Sequence, residues 1–283
     1  MSGLEDAALV ARQAGLSPVG RRPSLGTYIG QILRRRHLIH VLASSRLLGG
    51  VEGSRLGLIW LVLGPLLNAL VYFLIFGVIL GATRGVDNFV AYVVIGVLSF
   101  SFLTQIETSC ASSIRNNRSF IRSVHFPKAV LPLSTAQLAV YQFIPSLVVM
   151  ILFAVVTGEP VTWRWLLVLP ALALTTLFAT ALGLWLARLA ARSLDVQRFL
   201  PFINRTWLFA SGVIFNIKAF TDPPLETILL ANPGAVYVDL FRGALMEGDW
   251  ASTTTWWLGG AYALLFVPAL IWFWRAEGTY GRE

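Results

Sequence analysis

Apolar residues run along this chain in long unbroken blocks rather than in short alternating ones. Residues 56–83, 88–106, 129–158, 165–187 and 250–274 contain no Asp, Glu, Lys or Arg. Each block supplies the roughly 20 mostly apolar residues that a helix needs to cross the hydrocarbon core of a bilayer. A sixth block, RFLPFINRTWLFASGVIFN from Arg198 to Asn216, is similarly apolar but holds Arg205 between Asn204 and Thr206. The pattern predicts an all-α polytopic membrane protein. Its transmembrane domain covers 56–275, with six spans at about 56–81, 89–111, 131–157, 165–187, 199–217 and 254–274.

The segments outside these blocks have patterns of their own. Residues 1–23 are polar, with Gly and Pro, and predict a flexible tail; without an apolar h-region there, the first span must serve as the insertion signal. Ser24 can cap a helix from Leu25 to about Ser45, with Ile29, Ile32, Leu33 and His40 near one side and Arg34, Arg35 and His37 around the rest. Too charged to cross, it reads as an amphipathic interfacial helix within 24–55. Pro65 interrupts the early turns of the first span. In the loop after the second span, Arg115, Arg118 and Arg122 share one helical face, with Ile114, Ile121 and Val124 roughly opposite. That predicts a short helix over 113–126, stopped before Pro127. Near the C-terminal end, Asn232 and Pro233 suit the cap and first position of a helix running to about Leu245. Carrying Asp239 and Arg242, this helix is too short and too charged to cross. It predicts an outer re-entrant segment with shielded backbone ends.

Composition agrees with the pattern: 56% of the 283 residues are hydrophobic and 13% charged, against roughly 25% charged in soluble domains. The net charge of +8 is distributed by topology. With the N-terminus inside, segments 1–55, 112–128, 188–198 and 275–283 hold eight, four, three and two Lys and Arg, 17 of the 22. The outside segments 82–88, 157–164 and 216–255 hold four, and Arg205 is the remaining one. Such asymmetry orients both termini, including the tail 276–283, to the cytoplasm. The basic excess therefore points to anionic membrane lipid rather than to nucleic acid.

Catalytic chemistry is not legible. The only lysines, Lys128 and Lys218, do not follow a glycine, so there is no phosphate cradle for ATP. HExxH, GxSxG and paired-Cys motifs are missing, and Cys110 reads as a structural thiol. The acids Asp222, Glu226, Asp239, Glu247 and Asp249 are scattered. These features predict a chain that is not an enzyme and that binds no metal or cofactor.

Four stretches resemble the permease subunit of type-2 ABC exporters, in the branch that moves lipid-linked polysaccharides such as O-antigens, teichoic acids and galactans. SRLGLIWLVLGPLL is similar to the family's entry into the first span through Ser54, Leu56, Gly57, Trp60 and Pro65. NRSFIRSVHFPKAVLPLS is similar to its coupling segment through Asn117, Phe126, Pro127, Leu131 and Pro132. SLDVQRFLPF resembles the entry to the fifth span, although Leu194 stands where an arginine usually precedes the Asp. NPGAVYVDLFRGALM resembles the outer helix through Asn232, Pro233 and Arg242. The resemblance implies a homodimer in the bacterial inner membrane, sharing one pathway. It also implies two copies of a P-loop ATPase, which use ATP and Mg, docked through Arg115, Arg118, Phe120 and Arg122.

The helical wheel gives candidate pathway residues. Asp195, Arg198, Phe202, Arg205, Phe209, Gly212 and Asn216 fall within an arc of about 100°. On the second span Phe89, Tyr92, Gly96, Phe100 and Glu107 form one stripe. Aromatic faces beside hydrogen-bonding groups suit a sugar chain. Tyr92, Phe100, Glu107, Phe202, Arg205, Phe209 and Asn216 are therefore the candidate lining. Two other readings of Arg205 stay open: a packing pair with Glu107, or a snorkelling residue. Two other cargo readings also stand: a permease for a drug or small lipid, and a polyprenyl-linked membrane glycosyltransferase, which would need a carboxylate pair.

Overall fold

The computed structural model describes residues 23–50, 56, 57, 59–79, 86–124, 126–248 and 251–280. The predicted tail up to residue 22, Ser54 of the first motif, the end of the first predicted span beyond Ile79 and the last three residues lie outside these.

Every regular element among the described residues is helical. Two helices, α1 (Leu25–Arg34) and α2 (Arg36–Gly49), precede α3 (Ile59–Tyr72), which continues as π-helical turns over Phe73–Ile79. Then come α4 (Phe89–Ser113), the short α5 (Arg118–Ser123), α6 (Val130–Val156) and α7 (Val168–Arg192), the last entered through a 3-10 turn at Trp163–Leu167. The chain continues through α8 (Leu194–Ala210), α9 (Ile217–Phe220), α10 (Leu225–Leu230), α11 (Pro233–Leu245), α12 (Thr253–Ala263) and α13 (Phe266–Arg275).

The centre is α4. Asn88 caps it by accepting from the Ala91 N–H at 3.1 Å, and most of its residues are buried against α7, α6 and α11. Phe102 stacks on Phe143 of α6 at 4.2 Å between ring centroids. A second apolar cluster lies at the end of the molecule where the described chain ends meet. There Tyr28 and Ile32 pack with Ile121, Phe126, Leu131, Phe273 and Tyr280.

Four helical stretches are long and apolar enough to cross a membrane: Phe89–Ser113, Val130–Val156, Trp163–Arg192 and Thr253–Arg275. Ile59–Ile75 is apolar but shorter. The fifth predicted span, 199–217, differs from expectation. Its helix begins earlier, at Leu194, and stops at Ala210, because Gly212 takes a φ of +59° and turns the chain. The last span bends between α12 and α13, where Pro268 has no N–H for the Leu264 carbonyl.

Two N-terminal details also differ. The expected continuous helix breaks at Arg35, and Ser24 does cap its first half, accepting from Thr27 N–H at 3.3 Å. The inward face is Tyr28 and Ile32; Leu33 is 65% exposed and Ile29 is also exposed. The residue that decides the face is Tyr28, whose hydroxyl has buried partners described below.

Candidate transport pathway and its anchors

Ser193 caps α8, accepting from the Asp195 N–H at 3.1 Å, and fixes where the helix enters. Its inner side is held by Leu200, which is buried, and by Trp207. The Trp207 ring meets Phe100 edge-on at 5.5 Å, and its Nε1–H donates to Asn232 Oδ1 at 2.7 Å. These contacts turn Phe202, Arg205 and Phe209 outward. Phe202 is 71% exposed and Phe209 is 50% exposed. Among the described residues the exposed Arg205 guanidinium has no hydrogen-bond or ion-pair partner.

The stripe expected on the second span points the other way. Tyr92, Phe100 and Glu107 are all buried within the subunit, because they lie on the sides of α4 that its neighbours cover; the open stripe of α4 is Ser101, Gln105 and Thr108. The expected lining is thus divided: the residues of α8 form a surface, and those of α4 lie behind it. Glu107 is faced by Asn204 rather than by Arg205, and its Oε2 and the Asn204 Oδ1 have no hydrogen-bond partner among the described residues. The packing pair between Arg205 and Glu107 does not form within the subunit.

Arg242 is the anchor of the end that holds α9 to α11. It is 2% exposed, the largest side chain to be so fully buried. Its Nε donates to the Tyr92 carbonyl at 3.2 Å, Nη1 to Gly212 O at 3.2 Å and Nη2 to Val213 O at 2.7 Å. The guanidinium also lies 3.3 Å from the centre of the Tyr92 ring. A side chain on Gly96 would run into Arg242, which explains the glycine there. One cation thus joins α11, the turn after α8 and α4. It satisfies carbonyls that the broken helix leaves open.

Asn232 works beside it. Its Oδ1 accepts from Gly234 N–H at 3.1 Å, the predicted cap, while Nδ2 donates to Ala210 O and Ser211 Oγ, both at 3.1 Å. Pro233 occupies the first helical position as expected, and α11 is buried nearly throughout. Asn216 caps α9, accepting from Lys218 N–H at 3.1 Å. It borders two cavities, of about 690 and 150 Å³. The smaller is lined by Tyr92, Lys218, Asp239 and Arg242, among others.

At the opposite end, the predicted 113–126 helix is shorter. A 3-10 turn at Arg115–Asn117 leads into α5, which ends at Ser123 because Val124 is extended; His125 lies outside the described residues. Arg115, Arg118 and Phe120 are half-buried and Arg122 is exposed. Phe120 packs on Phe126 at 5.0 Å, and Asn117 Oδ1 accepts from Arg46 at 2.7 Å. The next turn is tied to both chain ends. Glu277 accepts from the Lys128 N–H at 2.9 Å and from the Tyr28 hydroxyl at 2.8 Å, and Tyr28 accepts in turn from Ala129 N–H at 3.1 Å. Burial first, then the Glu277 charge, pushes the Tyr28 phenol up, so it stays a donor.

A model of the ABC-2 type transporter family matches residues 39–246. The chain belongs to that family. It is similar to the O-antigen export system permease protein RfbA of Myxococcus xanthus, 28% identical over 220 residues, which cover 77% of this chain and 84% of that protein. An O-antigen export system permease protein RfbA of Klebsiella pneumoniae is 22% identical over 212 residues, covering 75% and 81%. Family membership and four crossing helices make this ABC-2 chain a multi-pass protein of the bacterial inner membrane.

Within this ABC-2 transporter, sequence reasoning found Arg242, Asn232 and Arg205 but not what they touch. Trp207, Tyr28 and Glu277 were missed, and Gly96 was placed on its stripe without its contact to Arg242. Trp207 was legible only as one more aromatic in an apolar helix. The partners of Glu277 are 149 and 249 residues away in the chain.

Proposed function

We propose that this ABC-2 chain is the membrane-spanning subunit of an exporter that carries a lipid-linked polysaccharide, of the cell-wall galactan or O-antigen class, out of the cytoplasm. The observation that carries the reading is the outward face of α8, where Phe202, unpartnered Arg205 and Phe209 lie together. Facing lipid, such an arginine would cost at least ~2.5 kcal/mol at mid-depth. The face therefore belongs against water or a second copy of the chain. Two copies would enclose one pathway, with aromatic faces for sugar rings and a cation for hydroxyl or phosphate oxygens. Tyr92, Phe100 and Glu107 back this surface through Trp207 and Asn204, and Asn216 lies at its outer end. The names of the similar permeases support the polysaccharide cargo.

The finer architecture belongs to the same reading. Six spans cross, α3 and α8 being the short ones; α1 and α2 lie at the cytoplasmic interface; α9 to α11 form the outer re-entrant part; and both termini are cytoplasmic. Two P-loop ATPase subunits dock on Arg115, Arg118, Phe120 and Arg122, and ATP and Mg²⁺ act there, not in this chain.

The test is export into proteoliposomes that hold this chain, its ATPase and a fluorescent lipid-linked glycan. ATP-dependent protection of the glycan from an external glycosidase is expected. Protection without ATP, or ATP-dependent uptake of a drug-like cation with no protection of the glycan, would overturn the assignment.

A further inference from the structure

Three arginines at the end of the molecule near the described termini have no acidic partner among the described residues. Arg118 comes from α5, and Arg188 and Arg192 from the last turns of α7; with Ile114, Ala191, Thr279 and Tyr280 they line one crevice. Among the described residues, Arg118 donates only to the Ala191 carbonyl, at 3.5 Å. Arg188 donates to the Trp272 carbonyl at 2.6 Å and lies 3.8 Å over the Trp272 ring. Arg192 is exposed and bonds to nothing among the described residues. The carboxylate of Glu277, in the same segment as Thr279 and Tyr280, accepts from the Tyr28 hydroxyl and the Lys128 N–H. Three like charges converging without a counter-charge among the described residues repel one another, and an anion would relieve that repulsion.

We infer that the crevice binds the phosphate of an anionic phospholipid, whose headgroup sits between α5, the end of α7 and the segment after α13. The enclosed part is about 10 Å³, room for one oxygen-sized group and too small for a sugar ring. Its rim lies at the end of the long apolar helices α7 and α13, at the depth of lipid headgroups. Trp272 is exposed there, as aromatic residues at membrane interfaces often are. A guanidinium presents paired donors to phosphate oxygens, and basic pockets between spans hold anionic headgroups elsewhere. The bound lipid would brace α5 against the spans by neutralising Arg118 together with Arg192. This inference does not depend on what the exporter carries.

Native mass spectrometry of the full-length chain in detergent, titrated with phosphatidylglycerol or phosphatidylcholine, tests it. The wild-type chain should hold one phosphatidylglycerol tightly and phosphatidylcholine weakly. At ~1 kcal/mol per arginine, each loss corresponds to about a fivefold weaker Kd. Arg192→Gln should therefore weaken phosphatidylglycerol binding about fivefold, and Arg188→Gln with Arg192→Gln more than tenfold, leaving phosphatidylcholine unchanged. Arg192 makes no bond, so its variant should fold as the wild type does. Unchanged phosphatidylglycerol retention in Arg192→Gln and the double variant would overturn the site. Displacement of the lipid by millimolar inorganic phosphate would reassign it to a water-soluble anion and overturn the lipid assignment.

Discussion

Arg205 and Arg242 are the same residue type in neighbouring elements, yet their surroundings give them opposite work. Arg242 spends its donors on three backbone carbonyls and its face on Tyr92; Arg205 spends none. Lysine keeps the charge but not the planar fork, so Arg242→Lys should leave carbonyls of Tyr92, Gly212 and Val213 unpaired. A loss on the order of 3 kcal/mol follows from burying such groups, read as a lower unfolding midpoint in detergent. An unchanged midpoint would mean that the fork is not what holds α11. Arg205→Leu should behave in the opposite way, with an equal or higher midpoint and poor export, since it removes a polar group bonded to nothing among the described residues. Phe209→Ala should likewise slow export with little loss of stability. A cysteine at 205 should react with water-soluble thiol reagents in a Cys110→Ala background. Cys110 itself is buried with its thiol against the Pro132 carbonyl, and so is a silent position to replace. A stable, fully active Arg205→Leu chain would leave Arg205 as a snorkelling side chain.

At the scale of elements, what was legible depended on whether the signal was local. The cap and first position of α11 lie side by side in the sequence as Asn232 and Pro233, and the helix begins where they predict. The long apolar helices α4, α6 and α7 were legible for the same reason. The end of α8 was not. Nothing in WLFASGVIFN marks Ala210 as a stop more strongly than the apolar run marks continuation. Gly212 allows the turn, and Asn232 and Arg242, more than 20 residues later, hold it by taking the carbonyls of Ala210, Gly212 and Val213. Likewise, the stripe on α4 was a correct helical wheel with the wrong neighbour, because periodicity gives a face but not what covers it. Asn232 therefore does more than a cap. A cap alone is worth ~1 kcal/mol, while Asn232→Ala also removes the Trp207 acceptor and two donors. The expected cost is about 2–3 kcal/mol, together with faster hydrogen exchange over 211–216. Asn232→Asp, which keeps the acceptor and loses the donors, should fall between. A loss of only ~1 kcal/mol for Asn232→Ala would mean that the bonds to α8 contribute nothing.

At the scale of the whole molecule, the first helix, the segment after α13 and the loop after α4 form one bonded unit, and this bears on how an ATPase could act on the spans. Glu277 follows the last span, Tyr28 lies in the first helix, and Lys128 starts the entry to α6; one carboxylate joins all three. Movement imposed on α5 would thus pass through Phe126 and Lys128 to both ends of the chain. Two sets of variants separate docking from transmission. Arg122→Glu lies on the exposed side of α5 and should weaken association with the ATPase while membrane insertion stays normal. Tyr28→Phe keeps the ring in its buried place but removes the donor to Glu277 and the acceptor for the Ala129 N–H, at about 1–3 kcal/mol. It should leave ATPase binding and ATP turnover near wild type, yet lower the glycan moved per ATP. Glu277→Gln should share that defect, because it can still accept from one donor but no longer carries the charge that holds Lys128 beside it. Measuring turnover and export together in the same proteoliposomes distinguishes the cases. If Tyr28→Phe lowers both in proportion, the network serves only to hold the fold; if it lowers neither, force reaches the spans by another route.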